Sequence, residues 1–266
     1  MDFFWKAASP APAPAPAPIA VPTQDAKPLH PFYPLGVEIV NYLANDKDVL
    51  QLLTAFALGC AVILSATWLV ASKFGPQLRT TDKFVVLWFT LTGSIHLFFE
   101  GYFSYNHTRM GGATDLFGQL WKEYALSDSR YLTSDPFVLC METITAVCWG
   151  PLSFVMVYFI ITSHPLRYPL QAIVSLGQIY GDVLYYATCM FDHYYKNLTY
   201  CRPEAYYFWF YFFFMNFIWI VIPGSLLWDS IKTTGKAFKA LDRMSHSLQA
   251  NGSVAKPKAN GHIKHA

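Results

Sequence analysis

Five runs of about twenty mostly apolar residues constrain this chain more than any other feature, because a run of that length matches the hydrocarbon core of a bilayer when helical. They cover 49–72, 84–105, 136–161, 168–190 and 205–228. Backbone in lipid must satisfy its own N–H and C=O groups, which leaves helices or closed barrels, and these runs have helix length. The expected fold is therefore an all-α integral membrane protein, a five-transmembrane-helix bundle enclosing an intramembrane cavity. Charged residues make up only 14% of the chain, well below the roughly 25% of a soluble domain. The net charge of +2, without a basic patch interleaved with aromatics, gives no pull toward nucleic acid. Aromatic residues reach 18%, a density that suits membrane interfaces or a π-walled cavity.

The two ends differ from the middle. Residues 1–27 hold a Pro/Ala tract, "ASPAPAPAPAPIAVP", expected to be extended and disordered. It lacks the apolar core of a signal peptide, so the first span is the expected targeting element. Residues 28–230 form the membrane domain, and 231–266 a polar, basic tail expected to be partly disordered. With that tail in the cytosol, eleven Lys/Arg fall on the cytosolic side and eight on the other, a modest positive-inside bias. The same orientation puts the N-terminus in the lumen, with the sequons at Asn106 and Asn197; the sequon at Asn251 falls in the tail.

Cys60, Cys140 and Cys148 lie within spans, where a thiol behaves as a small hydrophobe. Cys189 and Cys201 flank the last lumenal loop and are the pair an oxidising lumen could join. Neither CxxC nor HExxH occurs, and there is no phosphate-cradling Gly-rich loop or G-x-S-x-G elbow. No metal site, no cofactor and no covalent nucleophile is expected.

What remains is polar chemistry inside apolar helices, where ionisable side chains are costly and mark function by default. In "GSIHLFFEG", His96 and Glu100 stand four apart and share a helical face. Glu142 and Thr145 follow in "CMETITAVCWGP", Gln178 and Asp182 in "GQIYGDVLYY", Asn216 and Trp219 in "FMNFIWIVIPG". Each has a structural alternative. A His/Glu pair can simply lock two helices, Glu142 can snorkel, Asn216 can act as interhelical glue and Trp219 as core. Gln178 and Asp182 are read as a structural polar pair, beside the close-packing motif Gly177-xxx-Gly181. Pro151 and Pro223 are expected to relax their helices locally. Four helices each aiming a polar pair inward suggest one shared cavity, and two carboxyls with an imidazole in apolar surroundings form a proton-transfer set.

The blocks "PLHPFYP" (28–34), "IHLFFEGYF" (95–103), "LWKEYALSDSRY" (120–131), "METITAVCWGPLS" (141–153), "GQIYGDVLYY" (177–186) and "YFWFYFFFMNFIWIVIPG" (207–224) resemble the emopamil-binding protein family. The resemblance is strongest to its sterol Δ8-Δ7 isomerase members and runs from about 28 to 230. It implies a five-helix membrane bundle of the endoplasmic reticulum that moves a sterol double bond from 8(9) to 7(8) without a cofactor. The family's functional positions fall on His96, Glu100, Glu142, Thr145, Asn216 and Trp219. The PAPAPA arm and the tail depart from the family pattern.

Such a shift protonates one alkene carbon, forms a carbocation and deprotonates the neighbouring carbon. Glu142 and His96 would deliver and remove protons, with Glu100 tuning His96; which group is acid and which base stays open. Trp219 would lay a π-face against the cation, and Asn216 and Thr145 would orient the carboxylate. Sterol is the expected substrate, membrane lipid the surroundings, and lipophilic cationic amines the expected inhibitors; the oligomeric state is open, a homodimer included. Two rival readings stand beside this one. They are a non-catalytic sterol- or amine-binding protein, and an isomerase paralogue acting on another polycyclic terpenoid.

Overall fold

The computed structural model describes residues 30–254. The whole Pro/Ala arm, residues 1–27, and residues 255–266 of the tail lie outside the described residues. Among the described residues the regular structure is entirely helical. The elements are α1 (Val49–Phe74), α2 (Thr80–Gly112), α3 (Leu116–Tyr124), α4 (Pro136–Ile161), α5 (Arg167–Lys196) and α6 (Met215–Val254).

Local chemistry sets the helix ends. Asp48 caps α1 in a reciprocal box with Gln51, Asp115 caps α3, and Asp135 caps α4 ahead of Pro136 in its first turn; each carboxylate satisfies N–H groups that have no intrahelical partner. Asn197, at φ 54°, closes α5 in the left-handed conformation that Asn tolerates better than most residues.

Among the described residues, four helical stretches are long and apolar enough to cross a membrane: Val49–Phe74, Thr80–Gly112, Pro136–Ile161 and Tyr207–Gln249. The fourth expected span, 168–190, lies in α5, which has the length at 30 residues but not the apolarity. Its buried face is the reason, carrying Gln171, Ser175, Gln178, Asp182 and Asp192. α1 shows the opposite character. It buries only Leu52 and Ala71 and leaves Leu50, Leu58, Val62 and Leu69 outward. The boundary drawn at residue 230 falls inside α6, which runs unbroken from Met215 through the first part of the tail to Val254.

Three helices carry π turns, in which one extra residue widens the coil. They span Ile95–Glu100 in α2, Thr145–Trp149 in α4, and Tyr207–Phe214 leading into α6. The turn in α4 immediately precedes Pro151, whose ring would otherwise press on the preceding turn and which has no N–H to offer it. The first two π turns pack together because Gly150 leaves room; a Cβ there would lie 3.1 Å from the Leu97 nitrogen.

Residues 106–135, expected as a lumenal loop, are not one: His107–Gly112 continue α2, and 113–135 are a folded cap. Residues 41–48 strap onto it: Lys122 Nζ donates to the Leu43 carbonyl at 2.7 Å and the Gln119 side chain accepts from the Asp46 and Lys47 nitrogens. Asp128 and Arg130 form a fully buried ion pair at 2.7 Å. The guanidinium also donates to Thr188 at 3.0 Å and lies over the Tyr185 and Tyr200 rings. Burial opposes the charge of Arg130, yet the Asp128 carboxylate beside it holds the guanidinium pKa above its ordinary value.

Candidate functional site

All eight polar residues singled out in the sequence line one small lobe of about 70 Å³ between α2, α4, α5 and α6. A larger apolar lobe of about 290 Å³ adjoins it, walled by Leu53, Phe56, Trp88, Phe99, Trp121 and Ile218 among others. Glu100, Tyr131, Glu142, Asn216 and Trp219 border both lobes. Together these lobes reach the lower end of the roughly 300–1,000 Å³ range of small-molecule sites. Apolar volume therefore meets polar chemistry along one seam.

The π turn of α2 brings His96 and Glu100 into contact. His96 Nδ1 lies 2.8 Å from Glu100 Oε2, and the imidazole is 3% exposed. Its other nitrogen, Nε2, is 3.1 Å from Gln178 Nε2 on α5. In this amide orientation Gln178 donates, so the neutral ring carries its proton on Nδ1, toward Glu100. Rotating the amide would present Oε1 to an Nε2–H, which lets Gln178 serve either protonation state. Trp219 faces the same imidazole, with centroids 4.8 Å apart and planes inclined by 35°, and packs on Trp88 behind it.

Glu142, on the last α-helical turn before the π turn of α4, is buried and accepts from the Tyr131 hydroxyl at 2.8 Å. It lines the same lobe as Glu100, His96 and Asp182. Tyr131 comes from the cap, and four rings fix its position: Phe103, Trp121, Tyr124 and Tyr185. Burial, and then the Glu142 charge, push its phenol above the ordinary pKa, so it stays a donor. Sequence reasoning passed over Tyr131 because it lies outside every apolar run; its place in "LWKEYALSDSRY", among buried aromatics, was the available signal.

Two expected contacts differ. Thr145 donates to the Met141 carbonyl at 2.8 Å, as helical threonines in lipid often do. Asn216 donates to Tyr124 Oη at 2.8 Å and to the Phe212 carbonyl at 2.6 Å. Both residues line the lobe, but Tyr131 is the side chain that orients Glu142. Gln178 and Asp182, read as structural, separate: Gln178 reaches His96, whereas Asp182 Oδ2 is buried without a partner among the described residues. Of the two glycines beside them, Gly177 packs closely, since a Cβ there would lie 2.4 Å from the Trp149 ring, whereas a Cβ on Gly181 would meet only Met141 at 3.9 Å. Glu123 of the cap is a further missed carboxyl on the apolar lobe; it accepts from Tyr211 at 3.1 Å, and burial raises its pKa.

Two other expectations meet the structure here. Cys189 and Cys201 are both free thiols lining one small pocket. The Asn106 amide is buried, donating to the Tyr102 carbonyl at 2.7 Å and accepting from Arg109 at 2.7 Å, whereas Asn197 is exposed.

A 3-beta-hydroxysteroid-Delta(8),Delta(7)-isomerase from Cavia porcellus is 40% identical over 221 residues, covering 83% of this chain and 95% of the relative. The chain belongs to the emopamil-binding protein family. The family model described as EXPERA, the expanded EBP superfamily, matches residues 116–230. A probable isomerase of the same name from Oryza sativa is 32% identical over 79% of this chain and 94% of its own length. An isomeliandiol synthase from Ailanthus altissima is 34% identical over 61% of this chain and 75% of its own.

Proposed function

We propose that this protein is a sterol Δ8-Δ7 isomerase that moves the 8(9) double bond to 7(8) by protonation, carbocation stabilisation and deprotonation within a membrane. The observation that carries the conclusion is the seam where His96, Glu100, Glu142 and Trp219 meet an apolar lobe. A flat polycyclic hydrocarbon fits that lobe, and its alkene would lie against the acid–base set. Glu142 and His96 exchange protons with the substrate, while Glu100 and Gln178 hold the two imidazole nitrogens. Tyr131 steadies the Glu142 carboxyl. The Trp219 face offers the cation roughly 2 kcal/mol of attraction in a dry site. Thr145 and Asn216 shape the wall and keep the backbone and Tyr124 in place. Proton transfer needs neither a nucleophile nor a redox centre, so this chemistry calls on no cofactor.

In the same reading α5 is the fifth membrane helix, its polar face turned inward. The protein resides in the endoplasmic reticulum membrane with its N-terminus lumenal and its C-terminus cytosolic. Lipophilic ammonium ions inhibit it, because they mimic the carbocation in charge and frame. Homodimers are compatible with the lipid-facing α1. A second reading is favoured by the Ailanthus altissima relative: the same proton transfers performed on another polycyclic terpenoid. Expression in a sterol-isomerase-deficient cell, with sterol analysis, decides between them. Conversion of accumulated Δ8 sterols to Δ7 sterols is expected, and their persistence in cells that contain the folded protein would exclude the sterol reading.

A further inference from the structure

The inner face of α5 carries a row of polar atoms of which the site chemistry above uses only the Gln178 amide. Among the described residues nine buried side-chain polar atoms have no hydrogen-bond partner. Six of them belong to α5, and the first five run along one stripe: Arg167 Nε, Gln171 Oε1, Ser175 Oγ, Gln178 Oε1 and Asp182 Oδ2, with Tyr185 Oη one turn further on. Steps of four, four, three and four residues keep those five on one face, about 22 Å from end to end. Gln171, Ser175, Gln178 and Asp182 are each more than nine-tenths buried. An unpartnered polar atom in such a place is costly, so five in a row require a common explanation.

Ser175 is the most informative of the five. Several hydroxyls elsewhere in the spans fold back onto the carbonyl four residues before them, as Thr67, Thr90, Ser94, Thr143 and Ser153 do, whereas Ser104 of α2, like Ser175, has no partner among the described residues. Ser175 makes no such bond although it is 0% exposed. Gln171 likewise uses its amide nitrogen on the Leu226 carbonyl of α6 at 3.0 Å, and leaves its oxygen over. Successive groups are separated by about 4.5–6 Å of helix rise, close to the roughly 5.6 Å that one water spans between two hydrogen-bond partners. At the inner end the stripe enters the lobe of about 70 Å³, where Gln178 and Asp182 are wall residues beside His96 and Glu142. That lobe is roomy enough for more than one water. At the outer end Arg167 pairs with Asp82 at 2.5 Å, and Asp82 pairs with Arg79, whose side chain is 73% exposed.

We infer that the inner stripe of α5 holds a file of water molecules connecting the Arg167 end of the bundle to the lobe, and that protons of the site exchange with solvent along it. The ligand class is water, and the side chains named above anchor it. The inference rests on the isomerase reading and deepens it. Each turnover forms one C–H bond at the alkene carbon with a proton from the site and breaks one C–H bond at the neighbouring carbon, returning a proton to the site. The chemistry balances without solvent. Whether the returned proton is reused or replaced depends on the exchange route.

Isotope content separates these fates independently of rate. The full chain, in microsomes prepared in deuterated water, is given protiated Δ8 sterol for many turnovers, and deuterium in the product is measured by mass spectrometry. The parent is expected to place close to one deuterium per product molecule. Ser175→Leu, which fills the stripe, and Ser175→Ala, which removes a water anchor without added bulk, are expected to lower that fraction at least several-fold while isomerisation continues. Ser175→Thr keeps a hydroxyl and is expected to restore it. A merely structural role for Ser175 would change the rate and leave the isotope fraction alone. Equal labelling in the parent and Ser175→Ala overturns the file as the exchange route, as does an unlabelled product from the parent. If the folded parent makes no Δ7 product, the isomerase reading fails and this inference with it.

Discussion

Tyr131→Phe tests the site most cleanly, because it removes one oxygen and leaves a packed ring. The hydroxyl donates to Glu142 Oε1 at 2.8 Å, and the ring is held by Phe103, Trp121, Tyr124 and Tyr185. Phenylalanine occupies the same volume, so no cavity opens in the cap. A hydrogen bond to a charged group contributes roughly 1.5–3 kcal/mol. If the bond is made in full only once Glu142 has given up its proton to the substrate, the loss falls on the chemical step. Turnover should then fall about 10- to 150-fold, at about 1.4 kcal/mol per tenfold. KM for sterol should change little, since Tyr131 has no role in gripping the ring system beyond its retained aromatic face. The assay is the initial rate of Δ7 sterol formation in microsomes at several sterol concentrations, with protein abundance and thermal stability measured alongside. An unchanged kcat in a stably folded variant would refute the assignment of Tyr131 as the group that orients Glu142. A rise in KM alone would make it a wall residue.

Three further outcomes are expected. Glu142→Gln should abolish turnover and weaken binding of a lipophilic ammonium ion, whereas His96→Ala should damage turnover far more than amine binding; radioligand binding and sterol assays on both variants check this. Asp128→Ala leaves the Arg130 guanidinium buried without its counter-charge and should cost about 3–5 kcal/mol of stability, seen as loss of extractable folded protein at a temperature the parent survives. An endoglycosidase-sensitive mobility shift should vanish in Asn197→Gln and persist in Asn106→Gln, because the Asn106 amide is engaged and buried.

Much of this architecture is legible in the sequence because lipid leaves few options. Apolar runs of bilayer length must be helical, and the cost of ionisable groups within them pointed to His96, Glu100 and Glu142 before any geometry was known. Other features depend on contacts that no local pattern records. The partner of Gln178 is an imidazole 82 residues away, so the spacing of Gln178 and Asp182 on one face describes a polar stripe without saying what it serves. Tyr131 reaches Glu142 from a connector, and connectors carry no periodicity. α6 passes residue 230 without a break because nothing there stops a helix: Gly235 is tolerated, and no proline follows until the described residues have ended. Thr145 and Asn216 line the lobe, but their hydrogen bonds go to Met141 and Tyr124, which only a packed arrangement specifies.

The π turns make these helices intolerant of changes in length. A π turn is the footprint of a single extra residue, accommodated by swelling the coil rather than by shifting its register. Losing one residue from Ile95–Glu100 would let α2 relax to an ordinary spiral and swing everything on one side of the gap by about 100° about the axis. His96 and Glu100 would no longer both face Gln178 and Glu142, although every side chain proposed for the proton transfers would still be present. The same holds for Thr145–Trp149 and for the aromatic segment before Asn216. Deletions scanned one residue at a time through these three windows should silence the enzyme more completely than most substitutions there, whereas deletions in the tail beyond Val254 should pass unnoticed. For this bundle the counting of residues is as much a part of the active site as their identity.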